Sequence, residues 1–180
     1  MGVYNVHERL LAVDQAVAGA LIDTLSSGDG DRLWPYRSWP RMRFDRALEA
    51  GAVGGHGPVR YTVTAYVPAT WVRFAFTGPR GFHGFHEFAA LAAGEGHTVL
   101  RHTLAMSLRG PARLTWPLVF RPLHDALLED SLDLAERACT GTVSRPARRS
   151  RYVRLLRSLA RTADRRSSDP ASADRRTANR

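Results

Sequence analysis

The sequence predicts an α+β protein: a curved antiparallel sheet wrapped around a long C-terminal helix, with a basic tail behind it. Three observations predict this. Four strand-like segments lie between Pro58 and Leu108 with only short Gly- and Pro-bearing turns between them, and strands joined that way pair antiparallel. Apolar residues at helical spacing then take over as far as Ala138, and one long amphipathic helix is what remains to cover the apolar face of such a sheet. The third observation is charge. All 26 basic residues are Arg; residues 1–140 hold 14 Arg and 14 acidic residues, whereas residues 141–180 hold 12 Arg and 3 Asp. The whole net charge of +9 therefore belongs to the tail.

That division excludes a uniformly basic nucleic-acid-binding domain, which would carry its patch on the fold itself. It places one neutral domain over residues 1–140, a common domain size, and an Arg-rich tail over residues 141–180. Cys139 is the only cysteine of the chain, so no intrachain disulfide forms and a reducing compartment is expected. Neither a signal-peptide pattern nor an apolar run of membrane-spanning length is present. A cytoplasmic location is the expectation, with the tail able to hold the protein at the inner membrane surface.

Along the chain, Tyr4 to Val13 reads as a first strand. Asp14 stands as N-cap to a helix carrying Ala16, Val17, Ala20, Leu21 and Leu25 at helical spacing. The dipeptides Trp34-Pro35 and Trp39-Pro40 mark an extended connector, because proline pushes the preceding residue out of the helical region. Met42 to Leu48 reads as a short strand. The meander then runs through Pro58–Val67, Thr70–Thr77, Phe82–Leu91 and His97–Leu108, and Gly54-Gly55-His56-Gly57 before it reads as a tight turn or a flap. Pro117 and Pro122 delay the regular last helix to about Leu123–Ala138.

With these elements in order, Val3 to Ala138 resembles the START-like, or polyketide cyclase/dehydrase (SRPBCC), superfamily of helix-grip proteins. The resemblance rests on the element order and on three stretches: Leu33-Trp34-Pro35, Gly54-Gly55-His56-Gly57-Pro58-Val59-Arg60-Tyr61, and Pro122-Leu123-His124-Asp125. It implies a helix-grip fold and binding of a small hydrophobic or aromatic ligand, lipids included, in a cavity between sheet and helix. A second implied reading is a cyclase, aromatase or dehydratase. Members share no universal catalytic motif, so the resemblance assigns no active-site residue.

The residues themselves nominate candidates. His102 alternates with Leu100 and Leu104 on the apolar side of its strand, and His86 shares that side on the neighbouring strand, almost opposite. His124 lies four residues after Phe120 and four before Leu128, on the apolar face of the last helix. Neutral imidazoles converging there would orient a polar group on an apolar ligand, or exchange protons with a substrate. The alternative is a core histidine bonded to a backbone carbonyl. Tyr61, Phe74, Phe76, Phe88, Trp116 and Phe120 are candidate cavity walls, although core packing explains them equally. His124 and Asp125, adjacent on a helix, diverge by roughly 100° and make no dyad by sequence alone.

Other chemistries lack support. His83 and His86, three apart on a strand, point to opposite faces and cannot share an ion, so no metal and no cofactor are expected. No Gly-x-Ser-x-Gly motif is present, and Gly54-Gly55-His56-Gly57 is followed by neither Lys-Ser/Thr nor a helix. In the tail, residues 148–163 form a basic amphipathic helix with Tyr152, Leu155, Leu156, Leu159 and Ala163 on one face and Arg151, Arg154, Arg157 and Arg161 around it. Such a helix suits an anionic membrane surface, docks onto the body, or stays a solvated extension. Nucleic acid is not the expected partner. Disorder is expected beyond Ala163. A third functional reading makes the protein a tail-directed peripheral membrane or nucleic-acid-associated protein with a structural domain.

Overall fold

A computed structural model describes residues 1–167, with side chains described through Ala160. Its strands are β1 (Gly2–Leu11), β2 (Arg43–Phe44), β3 (Val53–His56), β4 (Val59–Val67), β5 (Trp71–Gly78), β6 (Phe82–Ala92) and β7 (Thr98–Leu108). The helices are α1 (Gln15–Ile22), α2 (Ala112–Thr115), α3 (Arg121–Thr140) and α4 (Arg151–Ser167). One curved, seven-stranded antiparallel sheet runs in the order β1-β7-β6-β5-β4-β3-β2, and the long C-terminal helix packs against it. The meander β4–β7 is consecutive, as its short turns require, and β1 closes one edge by pairing along β7 from Gly2↔Ser107 to Leu11↔Thr98. Two register shifts between β4 and β5, at Arg60/Tyr61 and Val63/Ala65, mark bulges, which bend a strand and increase its twist.

Alternation decides which residues face the helix. Val72, Phe74, Phe88, Ala90 and Leu100 are buried together with Leu127, Leu128, Leu132 and Ala135 of α3. Burying each large apolar side chain of this kind contributes about 1.5–3 kcal/mol. The helix α1 packs against β5, β6 and β7, and it comes close because of Gly19: a Cβ there would lie 1.8 Å from the Ala69 carbonyl oxygen.

Several elements depart from the sequence expectation. The strand expected over Met42–Leu48 reduces to β2, and the glycine stretch expected as a turn or flap is the strand β3. Glycine makes that pairing possible, since a Cβ on Gly54 would sit 2.0 Å from the Arg43 carbonyl oxygen of β2. The side chain of Asp14 makes no capping hydrogen bond to α1; its backbone carbonyl accepts from Val17 and Ala18 instead. Helical structure begins at Ala112 and not at Leu123. Pro117 is absorbed in a π turn over Trp116–Phe120, closed by the Arg121 N–H donating to the Trp116 carbonyl, and Pro122 stands at the start of α3, where a missing N–H costs little. Gly141, in the left-handed conformation at φ 79°, ends α3 with its N–H on the Arg137 carbonyl.

The strand β1 carries its pattern inverted. Tyr4 is 75% exposed and Leu10 59% exposed, while Asn5, His7 and Arg9 turn inward to Asp125, Glu129, Asp133 and Glu136 on one face of α3. Arg9 bonds Asp133 at 2.9 Å and Glu129 at 3.3 Å, and pairs with the buried Glu136. Polar residues face inward here because the helix brings a carboxylate row that must be paired.

The Arg-rich tail is not separate from this body. In α4, Val153 joins the core and the Tyr152 hydroxyl donates to the Leu118 carbonyl at 2.6 Å. Trp39 lies between two cations, with the Arg157 guanidinium 4.3 Å and the Arg149 guanidinium 5.7 Å from its ring. The same Trp39 donates through Nε1 to Asp130 at 2.6 Å, and Asp130 also receives Arg149. Of the four arginines expected around a membrane-facing helix, Arg157 thus belongs to the body and also donates to the Ser38 carbonyl. The helix runs to Ser167, four residues beyond its expected end. The rest of the segment expected to be disordered lies outside the described residues.

Candidate functional site

Between the sheet, the start of α3 and α4 lies a cavity of about 280 Å³. Its wall takes Phe76, Phe82, His86, His102 and Leu104 from the strands, and Trp116, Phe120, Leu123, His124, Leu127 and Leu128 from the helical run. The connector supplies Trp34 and Trp39, the β3–β4 hairpin supplies His56 and Val59, and α4 supplies Arg157 and Ala160. Of the residues nominated from sequence, Phe76, His86, His102, Trp116, Phe120 and His124 lie on this wall. Tyr61, Phe74 and Phe88 are fully buried in the core and are not among the wall residues.

The three histidines meet. Phe74 pairs with His86 and Phe88 with His102 across neighbouring strands, so the two imidazoles stand diagonally and join through His86 Nδ1 and His102 Nε2 at 3.2 Å. The His86 ring stacks on Phe74 and Phe76, with centroids 4.8 and 5.1 Å away, and Tyr61 meets it edge-on. The His124 ring lies 5.2 Å from that of His102. Burial drives the His86 and His102 pKa values well below the usual histidine range, and the neighbouring imidazoles add to the shift. Both are therefore neutral at physiological pH.

Neutrality has a chemical consequence. Each ring carries one N–H, and one of the two is spent on the bond between them. His86 Nε2 and His102 Nδ1, both buried, have no partner among the described residues. Whichever way the shared proton lies, one of these two nitrogens is a donor and the other an acceptor.

His124 is also lowered by burial, against the opposing pull of Asp125. Adjacency on a helix does not keep the two apart: His124 Nδ1 lies 3.3 Å from Asp125 Oδ1, while His124 Nε2 is buried without a partner among the described residues. The same carboxylate oxygen receives Asn5 Nδ2 at 3.1 Å and faces His7 Nε2 at 3.3 Å. Burial alone would lower the His7 pKa, but its bonds to Asp125 and to Glu129, the latter at 2.7 Å, outweigh that and raise it. Burial would raise Asp125, yet the bonds from His124 and His7 hold it well below the usual carboxylate range.

Sequence reasoning missed three contributors. His56 sits in the glycine stretch read as a loop, where alternation gives no signal because glycine has no side chain to alternate. In the structure its ring packs 4.6 Å from Trp34 and bonds the Tyr61 hydroxyl at 3.1 Å, and desolvation pushes its pKa down to about 3. His7 was hidden because the apolar residues of β1 pointed to the opposite face. Arg157 reaches the cavity only through the docking of α4.

A seven-stranded antiparallel sheet gripping a long C-terminal helix around a cavity is a helix-grip fold. Solved structures with this fold include norcoclaurine synthase from Thalictrum flavum, with 12% identity and a TM-score of 0.57 over 76% of this chain and 86% of that one. CalU16 from Micromonospora echinospora has 10% identity and a TM-score of 0.54, covering 87% and 83% of the two chains. Ara h 8.0201 has 15% identity and a TM-score of 0.57, covering 79% and 100%. Likeness at these identities is likeness of fold. No family model and no curated protein sequence matches the chain.

Proposed function

We propose that the protein binds a small hydrophobic or aromatic ligand in this cavity, and that His86 and His102 recognise one hydroxyl-type polar function on it. The observation that carries the reading is the wall itself: aromatic and aliphatic side chains around about 280 Å³, with buried imidazole nitrogens that lack partners among the described residues. An apolar pocket with a few convergent polar groups is the usual form of a small-molecule site. The volume suits a compact ligand, and a donor beside an acceptor matches a phenol or alcohol, which offers both.

The outer surface beside the cavity supports a second part of the reading, contact with an anionic membrane. Leu114 and Leu118 on the helical run and Leu155 and Leu159 on α4 are each more than half exposed. The bond from Tyr152 to Leu118 brings these two rows together. Arg151 and Arg154 are exposed on the same helix, and Val119 and Ala160 beside the rows line the cavity. Such a surface would let an apolar ligand pass between bilayer and cavity without crossing water.

Native mass spectrometry of freshly purified protein, followed by solvent extraction, tests the ligand. A bound apolar compound is expected. Its presence at 100 times its Kd stabilises the fold by about 2.7 kcal/mol. His86→Gln and His102→Gln are expected to retain the fold and lose the compound, and Leu123→Trp is expected to exclude it by filling the space. A protein that carries nothing and shows no thermal shift with a panel of phenols and aromatic hydrocarbons would overturn the reading.

A further inference from the structure

We propose that His7, His124 and Asp125 form a binding site for a divalent transition-metal ion of the zinc type, clamped between β1 and the start of α3. One ligating atom from each residue lies within 4.8 Å of the other two. Two of the three separations, His7 Nε2 and His124 Nδ1 to Asp125 Oδ1, are 3.3 Å. Ligands bound tetrahedrally at about 2.0–2.1 Å stand about 3.4 Å apart, so these atoms already describe two edges of a coordination polyhedron. The third edge closes by side-chain rotation.

The surroundings fit the chemistry. Glu129 bonds the far nitrogen of His7 at 2.7 Å, the carboxylate–imidazole–metal arrangement that fixes a ligating histidine's tautomer. Asp125 Oδ1 is the atom on which the site converges, since it faces Asn5, His7 and His124 together. The Asn5 Oδ1 atom is buried and has no partner among the described residues; rotation of that amide would bring it forward as a fourth ligand. Two imidazoles and one carboxylate favour zinc, iron, nickel or copper over magnesium or calcium, which prefer all-oxygen sites. Asp125 and Glu129 are partly exposed, which provides an entry path. With His124 ligating through Nδ1, its ring proton lies on Nε2 and is offered to the cavity.

The test needs no cavity ligand, so its outcome is independent of the binding reading above. Protein stripped with a chelator is titrated with Zn²⁺ by calorimetry and with Co²⁺ by visible absorption. One equivalent per chain is expected, with intense tetrahedral Co²⁺ bands. Glu129→Gln should weaken Zn²⁺ binding by roughly 10- to 100-fold, His7→Gln and Asp125→Asn should weaken it further, and the exposed His83→Ala should leave it unchanged. Ring ¹⁵N resonances of His7 and His124 in the unaltered protein are expected to move with Zn²⁺, a readout that does not depend on whether a variant folds. Stoichiometric binding that survives His7→Gln, a titration without saturation, or unmoved resonances would overturn the proposal.

Discussion

At the scale of single residues, imidazoles set the character of the cavity. His56 is enclosed by Trp34 and Tyr61 and has its pKa pushed down to about 3 by desolvation. In the unfolded chain a histidine titrates near 6.5. The folded state therefore binds fewer protons than the unfolded state between those values, and stability falls as pH drops below 6.5. The slope is at most about 1.4 kcal/mol per pH unit for one such group, and His86 and His102 contribute with the same sign. Urea unfolding at pH 7.5 and pH 5.0 should show this loss. In His56→Gln, which has no imidazole to protonate, the difference between the two pH values should shrink by about 2 kcal/mol. An unchanged difference would mean that water reaches His56 in the folded protein.

At the scale of elements, α4 is joined to the body by Val153, by an aromatic clamp at Trp39, and by the bonds of Tyr152 to Leu118 and of Arg157 to Ser38. Val153 enters the core, while Trp39 holds Arg149 and Arg157 against its ring and bonds Asp130. Introducing a carboxylate at this buried position puts a charge into apolar surroundings, which costs several kcal/mol. Val153→Asp is expected to undock α4 without unfolding the sheet. Hydrogen exchange checks this: amides of residues 151–160 should lose protection by more than about tenfold, since 1.4 kcal/mol of lost docking is a factor of ten, while β6 and β7 keep theirs. Loss of protection throughout the sheet would make α4 part of the domain's own folding unit.

The elements also show how far the sequence was legible. The meander could be read because its strands alternate cleanly and its turns are short. The helical run beginning at Ala112 could not, because Pro117 normally breaks a helix and the local widening to a π turn that accommodates it leaves no mark in the apolar spacing. The strand β3 was invisible for a related reason. Its glycines remove the alternation that announces a strand; Gly54 lets β2 approach, and Gly55 lies against the Val59 carbonyl of β4.

At the scale of the molecule, charge and apolar surface are gathered on the side where the cavity meets α4. If that side meets a membrane, co-sedimentation with vesicles should rise with the fraction of anionic lipid and fall with salt, at about 1 kcal/mol for each arginine near the surface. Arg151→Glu combined with Arg154→Glu should abolish it without altering the thermal shift given by a cavity ligand. Binding indifferent to lipid charge would remove the electrostatic part of the reading.

The sequence by itself determined the sheet meander, the helix behind it, the neutrality of the first 140 residues and the inward aim of His86, His102 and His124. Each of these follows from the period of a strand or a helix, or from a sum of charges, which are local properties. The tertiary structure alone decided that His86 and His102 share a proton, that His124 and Asp125 meet despite their angular separation, and that His7 and His56 join them. It also decided that the charged tail helix lies across the cavity. The meetings of His86 with His102 and of His124 with Asp125 depend on side-chain conformation and register, and the others on which separate elements pack together; periodicity carries neither.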